Sequence, residues 1–155
     1  MVTNMRIIKD IAKRLHKKSA NNYILDFTNN SVRYKGQALY PTFLDMFNPN
    51  YIKEYTFFNV VDDLYTKILN KDTSKYAELE PEAWRVIDNE QYLSLYNKDT
   101  ESFTDIKMEY LNKVGKWYFG NSMIFKQTYN SKDLVYVYRK EDNELLAIIS
   151  PYIRK

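Results

Sequence analysis

His16 is the only histidine in this chain, and there is no cysteine, so the residues that most often act as base, nucleophile or soft metal ligand are nearly absent. A catalytic imidazole needs a partner to orient its ring. His16 lies instead on the polar arc of an amphipathic run, among cations that disfavour its protonation and with no carboxylate placed beside it. We expect a surface role for it. One imidazole and no thiolate also leave a zinc site without its usual ligands, and no disulfide can form.

The carboxylates are the next group able to do chemistry. Asp62 and Asp63 are adjacent, and Glu78, Glu80, Glu82, Asp88 and Glu90 fall close together. Magnesium-assisted phosphodiester hydrolysis is the reaction such acids could support, provided several converge on one ion. Asp105-Ile106-Lys107 resembles the acid-x-Lys tail of restriction-type nucleases, which lies on a strand in that family. Here the periodicity predicts a helix, with Lys107 facing away from Asp105, so the expected role of these acids is a solvated helix face and compensation of a helix dipole. No catalytic residue, metal site or cofactor is assigned, and a metal-dependent nuclease is the lowest-ranked reading.

The cations are more organised. Arg6, Lys9, Lys13, Arg14, Lys17 and Lys18 stand against the single acid Asp10 in residues 1 to 18, a local charge of +5 in a chain whose net charge is +3. Set on one face of a helix they could neutralise phosphates or meet an acidic partner, giving affinity that falls steeply with salt. No helix-turn-helix signature follows, so sequence-specific DNA reading is not expected. The apolar face of that helix has no Trp or Phe to seat in a lipid headgroup layer, so no membrane partner is expected.

Tyrosines form the last group, 15 of them. Tyr136 and Tyr138 fall on one face of a predicted strand, and Tyr118 and Tyr129 could join them from neighbouring strands. Such a face could anchor a partner or stack bases, or it could simply be a core layer with hydroxyls at its rim.

These residues need elements to hold them. From Met5 to Lys18 the positions Met5, Ile8, Ile11, Ala12 and Leu15 recur at helical spacing, with Ile7 at their edge. Tyr23 to Phe27 and Ser31 to Lys35 read as a small N-terminal hairpin about Thr28-Asn29-Asn30. Thr42 to Phe47, between Pro41 and Pro49, reads as one short helical turn. A second amphipathic helix is expected over residues 57 to 70, with Phe57, Val60, Val61, Leu64, Tyr65 and Ile68 on one side. Pro81 between two glutamates suits the first turn of a short helix, and the rest of residues 74 to 97 has no clear period. A third helix is expected from Ser102 to Val114, with Ser102 and Asp105 as a capping pair, Phe103, Ile106, Tyr110, Leu111 and Val114 as its stripe, and Gly115 as its stop. From Lys116 to Tyr152 three turn signals cut an aromatic and β-branched run into four strands, and Pro151 ends the last. The apolar groups on both faces of the last two strands require cover on both sides.

The expected fold is therefore α+β: a C-terminal antiparallel meander packed against three amphipathic helices, with the hairpin at the N-terminus, in one domain over residues 1 to 155. Only 3 glycines are present, too few for a phosphate-binding loop or a dinucleotide fingerprint. No signal peptide or membrane span is read, so the expected compartment is the cytoplasm. The excess of Lys, Asn, Ile, Tyr and Phe matches AT-rich codons and points to a low-GC bacterium, its phages or mobile elements. Without an assembled active site, the expected function is a non-catalytic binding protein, a small phage or mobile-element inhibitor or accessory protein. Its target would be a host protein such as a nucleic-acid-processing defence nuclease, an anti-CRISPR-like or anti-restriction-like role. Direct nucleic-acid binding by the basic helix is the alternative.

Overall fold

The computed structural model describes residues 1–16, 22–47, 63–115 and 122–153. Among them are nine strands, paired antiparallel within each unit, and three short helices, in two compact units, Met1–Lys71 and Asp72–Lys155. The expectation of a meander packed on three amphipathic helices is overturned: strands dominate.

In the first unit, helix α1 (Met5–His16) starts where Asn4 accepts the Ile7 amide on its side-chain oxygen, at 3.2 Å. The expected hairpin is present as β1 (Tyr23–Asp26) and β2 (Ser31–Tyr34), with Tyr23 opposite Tyr34. Its turn is organised by Asp26, which is fully buried and accepts the amides of Thr28 and Asn29 at 3.0 and 3.1 Å and Arg33 Nη2 at 3.3 Å. A third strand, β3 (Ala38–Pro41), then pairs with β2, which the sequence reading missed. Lys35 and Gly36, at φ 52° and 66°, are the left-handed pair of the three-residue turn between Tyr34 and Ala38, where the Gln37 amide donates to the Tyr34 carbonyl at 3.1 Å. Helix α2 (Asp63–Leu69) lies inside the expected helix over 57 to 70; residues 57 to 62 fall outside the described residues. Leu64, expected on its buried side, is exposed, and Arg33 stacks on the Tyr65 ring at 3.4 Å.

The second unit begins with β4 (Ala77–Ile87), β5 (Glu90–Asn97) and β6 (Ser102–Lys107), continues through the one-turn α3 (Met108–Leu111), and ends with β7 (Met123–Gln127), β8 (Val135–Arg139) and β9 (Leu145–Ile149). Strands β7 to β9 are three of the four expected pieces, and the first piece falls outside the described residues. The short helix expected at Pro81 is strand β4, and the helix expected over 102 to 114 begins as strand β6 and keeps only the single turn α3. Both errors have one cause. Asp88 and Asn89 adopt φ 51° and 65° and fold β4 onto β5, while Asn97 accepts the amides of Asp99 and Thr100 and folds β5 onto β6. Once these turns pair the chain, Phe103, Thr104 and Ile106 follow their β preference, and the helical spacing of Phe103, Ile106 and Tyr110 is incidental.

The core of this unit is built mainly from strands. Strand β4 pairs with β7 over Ala77–Leu79 and with β5 from Glu80 onward, with a register shift between Pro81 and Ala83. Such an irregularity bends a strand, and β6 is brought over β7: Thr104 donates to the Gln127 side chain at 2.9 Å, both buried. Past β9 the chain reaches β6, where the Tyr152 amide donates to the Asp105 carbonyl at 2.8 Å. Leu79, Leu93, Leu95, Ile106, Phe125, Val137 and Ala147 are buried on these strands, joined by Met108 and Leu111 of the one-turn α3.

Candidate functional site

Helix α1 is anchored by Ile7, Ile8 and Ile11, which are 0 %, 3 % and 0 % exposed. The buried arc is rotated from the expected one: Ile7 is fully buried, and Met5 and Ala12 are exposed. Asp10 and Arg14 flank that arc. The Asp10 carboxylate accepts the Tyr23 hydroxyl and pairs with Arg14 Nε at 3.3 Å, while the Arg14 guanidinium sits 5.7 Å from the Tyr23 ring centre. Burial, and then the bond to Asp10, push the Tyr23 phenol far above its ordinary range. Arg6, Lys9 and Lys13 are exposed on the opposite side of the helix. Of the six cations picked from the sequence, three thus face outward together, Arg14 is engaged internally, and Lys17 and Lys18 fall outside the described residues. His16 is the last residue of α1.

Of the three described tyrosines of the expected face, one is core, one half-buried and one exposed. Tyr136 is 4 % exposed, meets Tyr76 edge-on at 5.9 Å, and is pushed up to about 12, first by burial. Tyr138 is half-buried, shares a 2.6 Å hydrogen bond with Thr73, and lies under the Lys126 ammonium at 5.4 Å. Strand β8 pairs with β7 in unbroken register, so Tyr136 and Tyr138 share a face as alternation predicts; the register shift opposite them, between Ala147 and Leu145, falls on β9. Tyr118 falls outside the described residues, and Tyr129 is exposed at 56 %.

The exposed aromatic surface lies elsewhere, on β6 and the chain beyond β9. Phe103, Tyr152 and Ile153, with Ser131 and Lys132 from the β7–β8 turn, line a groove of about 290 Å³. Phe103 and Ile153 are 43 % and 45 % exposed. Phe103 packs on Tyr96 with ring centres 5.0 Å apart and on the Arg85 guanidinium at 5.9 Å, and Tyr152 packs on Tyr92 at 5.1 Å. This groove was not legible beforehand, because Phe103 had been assigned to a buried helical stripe. The two-residue signal Asp88-Asn89 between apolar runs was the available hint that β4 to β6 are strands.

The carboxylates disperse. Asp105-Ile106-Lys107 lies on a strand after all, so Asp105 and Lys107 share a face, contrary to the helical expectation. Asp105 is 1 % exposed and accepts the Ser94 hydroxyl, however, and Lys107 is held between Glu90 at 3.8 Å and Glu109 at 3.7 Å. Glu80 is paired with Lys98 at 3.9 Å. Among the described residues no three acids or imidazoles converge as a metal would require, and no helix is long and apolar enough to cross a membrane. No protein family, no curated protein and no solved structure matches this chain.

Proposed function

We propose that this chain is a non-catalytic binding protein that holds a protein partner in the groove of the second unit. The observation that carries the reading is the exposure of Phe103 and Ile153 side by side about a cleft of about 290 Å³. Rigid rings beside a cationic rim are the composition of interface anchors, where a few aromatic and arginine side chains supply most of the affinity. Lys132 and Arg85 favour a partner patch in which an aliphatic side chain is rimmed by carboxylates. The engagement of Asp105 by Ser94, and of Lys107 by two glutamates, supports a non-catalytic role, because both would need to be free to act on a phosphodiester.

The setting that the codon-biased composition supports is a phage or mobile element of a low-GC bacterium. An inhibitor or accessory protein acting on a host nucleic-acid-processing nuclease is the corresponding role. The tagged chain is expected to retain one protein at one-to-one stoichiometry from such a lysate. Phe103→Arg and Ile153→Arg should each abolish retention and Lys13→Gln should not. Retention by both groove variants, or cleavage of DNA in magnesium or manganese, overturns the reading.

A further inference from the structure

We propose that the outward stripe of α1, Arg6, Lys9 and Lys13, is a binding site for the phosphodiester backbone of nucleic acid, separate from the groove and independent of what the groove binds. At 100° per residue these three side chains fall within an arc of about 60°, centred opposite the buried Ile7, Ile8 and Ile11. Seven residues of helix advance about 10 Å, so the stripe runs alongside roughly three base steps of 3.4 Å each. The only acid on the helix, Asp10, is turned to Tyr23 and Arg14, and so its charge is already compensated. The stripe also sits in the positive half of the molecule: residues 1–71 hold eleven basic and six acidic side chains, net +5, against twelve and fourteen, net −2, in residues 72–155.

Three features favour phosphate over the other anions. The cations are exposed rather than buried, which suits a sequence-independent contact that releases counterions. The isoleucines that a membrane-surface helix would insert into lipid are instead consumed in the protein. An acidic protein surface would satisfy the charge, but it offers no regular anionic spacing along the helix.

The test uses the full chain with a fluorescein-labelled 20-nucleotide single strand and the corresponding duplex, followed by anisotropy between 50 and 200 mM salt. Three phosphate contacts add about −2 to −3 to the log–log salt slope, more for duplex than for single strand. Lys9→Gln and Lys13→Gln should each reduce the slope by about 0.7–0.9, with circular dichroism and thermal midpoint unchanged. Lys98→Gln, at a position 70 % exposed in the other unit, should leave it unchanged. No binding to either oligonucleotide at 50 mM salt overturns the proposal. So does an equal fall in slope for Lys98→Gln, which would mean a diffuse charge effect, and so does binding to anionic phosphatidylserine vesicles without binding to nucleic acid.

Discussion

Helix α1 and strand β6 carry the two surfaces proposed here, and they are built by opposite logic. In α1 the apolar and cationic residues already segregate at 3.6-residue spacing, so burying Ile7 and Ile11 obliges Arg6, Lys9 and Lys13 to face out. In β6 the residues Thr104, Asp105 and Ile106 are all buried, on both faces of the strand, and Phe103 is left exposed only because of where β5 and the chain at Tyr152 meet it. A local pattern presents the first surface. Long-range pairing presents the second.

Replacing the core on each side should separate the two most widely. Phe125→Ala, at a ring 1 % exposed within the curled sheet, is expected to cost about 3–5 kcal/mol, and Ile11→Ala under α1 about 2–5 kcal/mol. Urea unfolding monitored by the fluorescence of Trp84 and Trp117, both in the second unit, and by helix ellipticity would show whether α1 loosens while the sheet of the second unit persists. Coincident transitions in the Ile11 variant would break the distinction.

Alkaline titration tests the second unit's buried phenol. Burial raises Tyr136 from 10.0 to about 12. Its contribution to stability is therefore complete below pH 10 and lost as the pH rises toward 12, about 2–3 kcal/mol at most. Tyr136→Phe should show a smaller fall in urea midpoint between pH 9 and pH 11.5 than the parent chain, and an equal fall would place that phenol in water.

On the helix side, Asp10→Ala removes the acceptor of both Tyr23 and Arg14. A loss of about 1.5–3 kcal/mol is expected from the hydrogen bonds to the charged group, read as a lowered urea midpoint at pH 7. The smallest effect belongs to the groove. Phe103→Ser should change stability by less than about 0.5 kcal/mol while removing the partner, and a large loss would mean that the ring is structural.

The amphipathic helix, the first hairpin and strands β7 to β9 were legible because each is specified by neighbours: a periodic arc, Asp26 with Asn29 and Asn30 at a turn, alternation bounded by turn residues. Tyr136 and Tyr138 show where such reading stops, since alternation puts them on one face but does not tell that Tyr136 is buried against Tyr76 while Tyr138 lies at the rim. The segment from Ser74 to Lys107 was misread for the same reason on a larger scale. Its polar residues and helical spacings are weak local signals, overridden by pairing between neighbouring strands across the turns at Asp88-Asn89 and Asn97 and, at Ala77–Leu79, with the distant β7.

The sequence by itself determined the separation of positive charge into the first eighteen residues, the scarcity of groups able to act as base or nucleophile, and the apolar stripe that orients α1, because these are properties of residue type and spacing. Tertiary structure alone decided that the core of the second unit would be built mainly from strands, that Asp105 would be sealed beneath Ser94, and that Phe103 would meet Tyr152 and Ile153 at a groove. Those outcomes depend on which strands pair and where β4 bends, and a pairing between distant segments leaves no mark in the local order of residues.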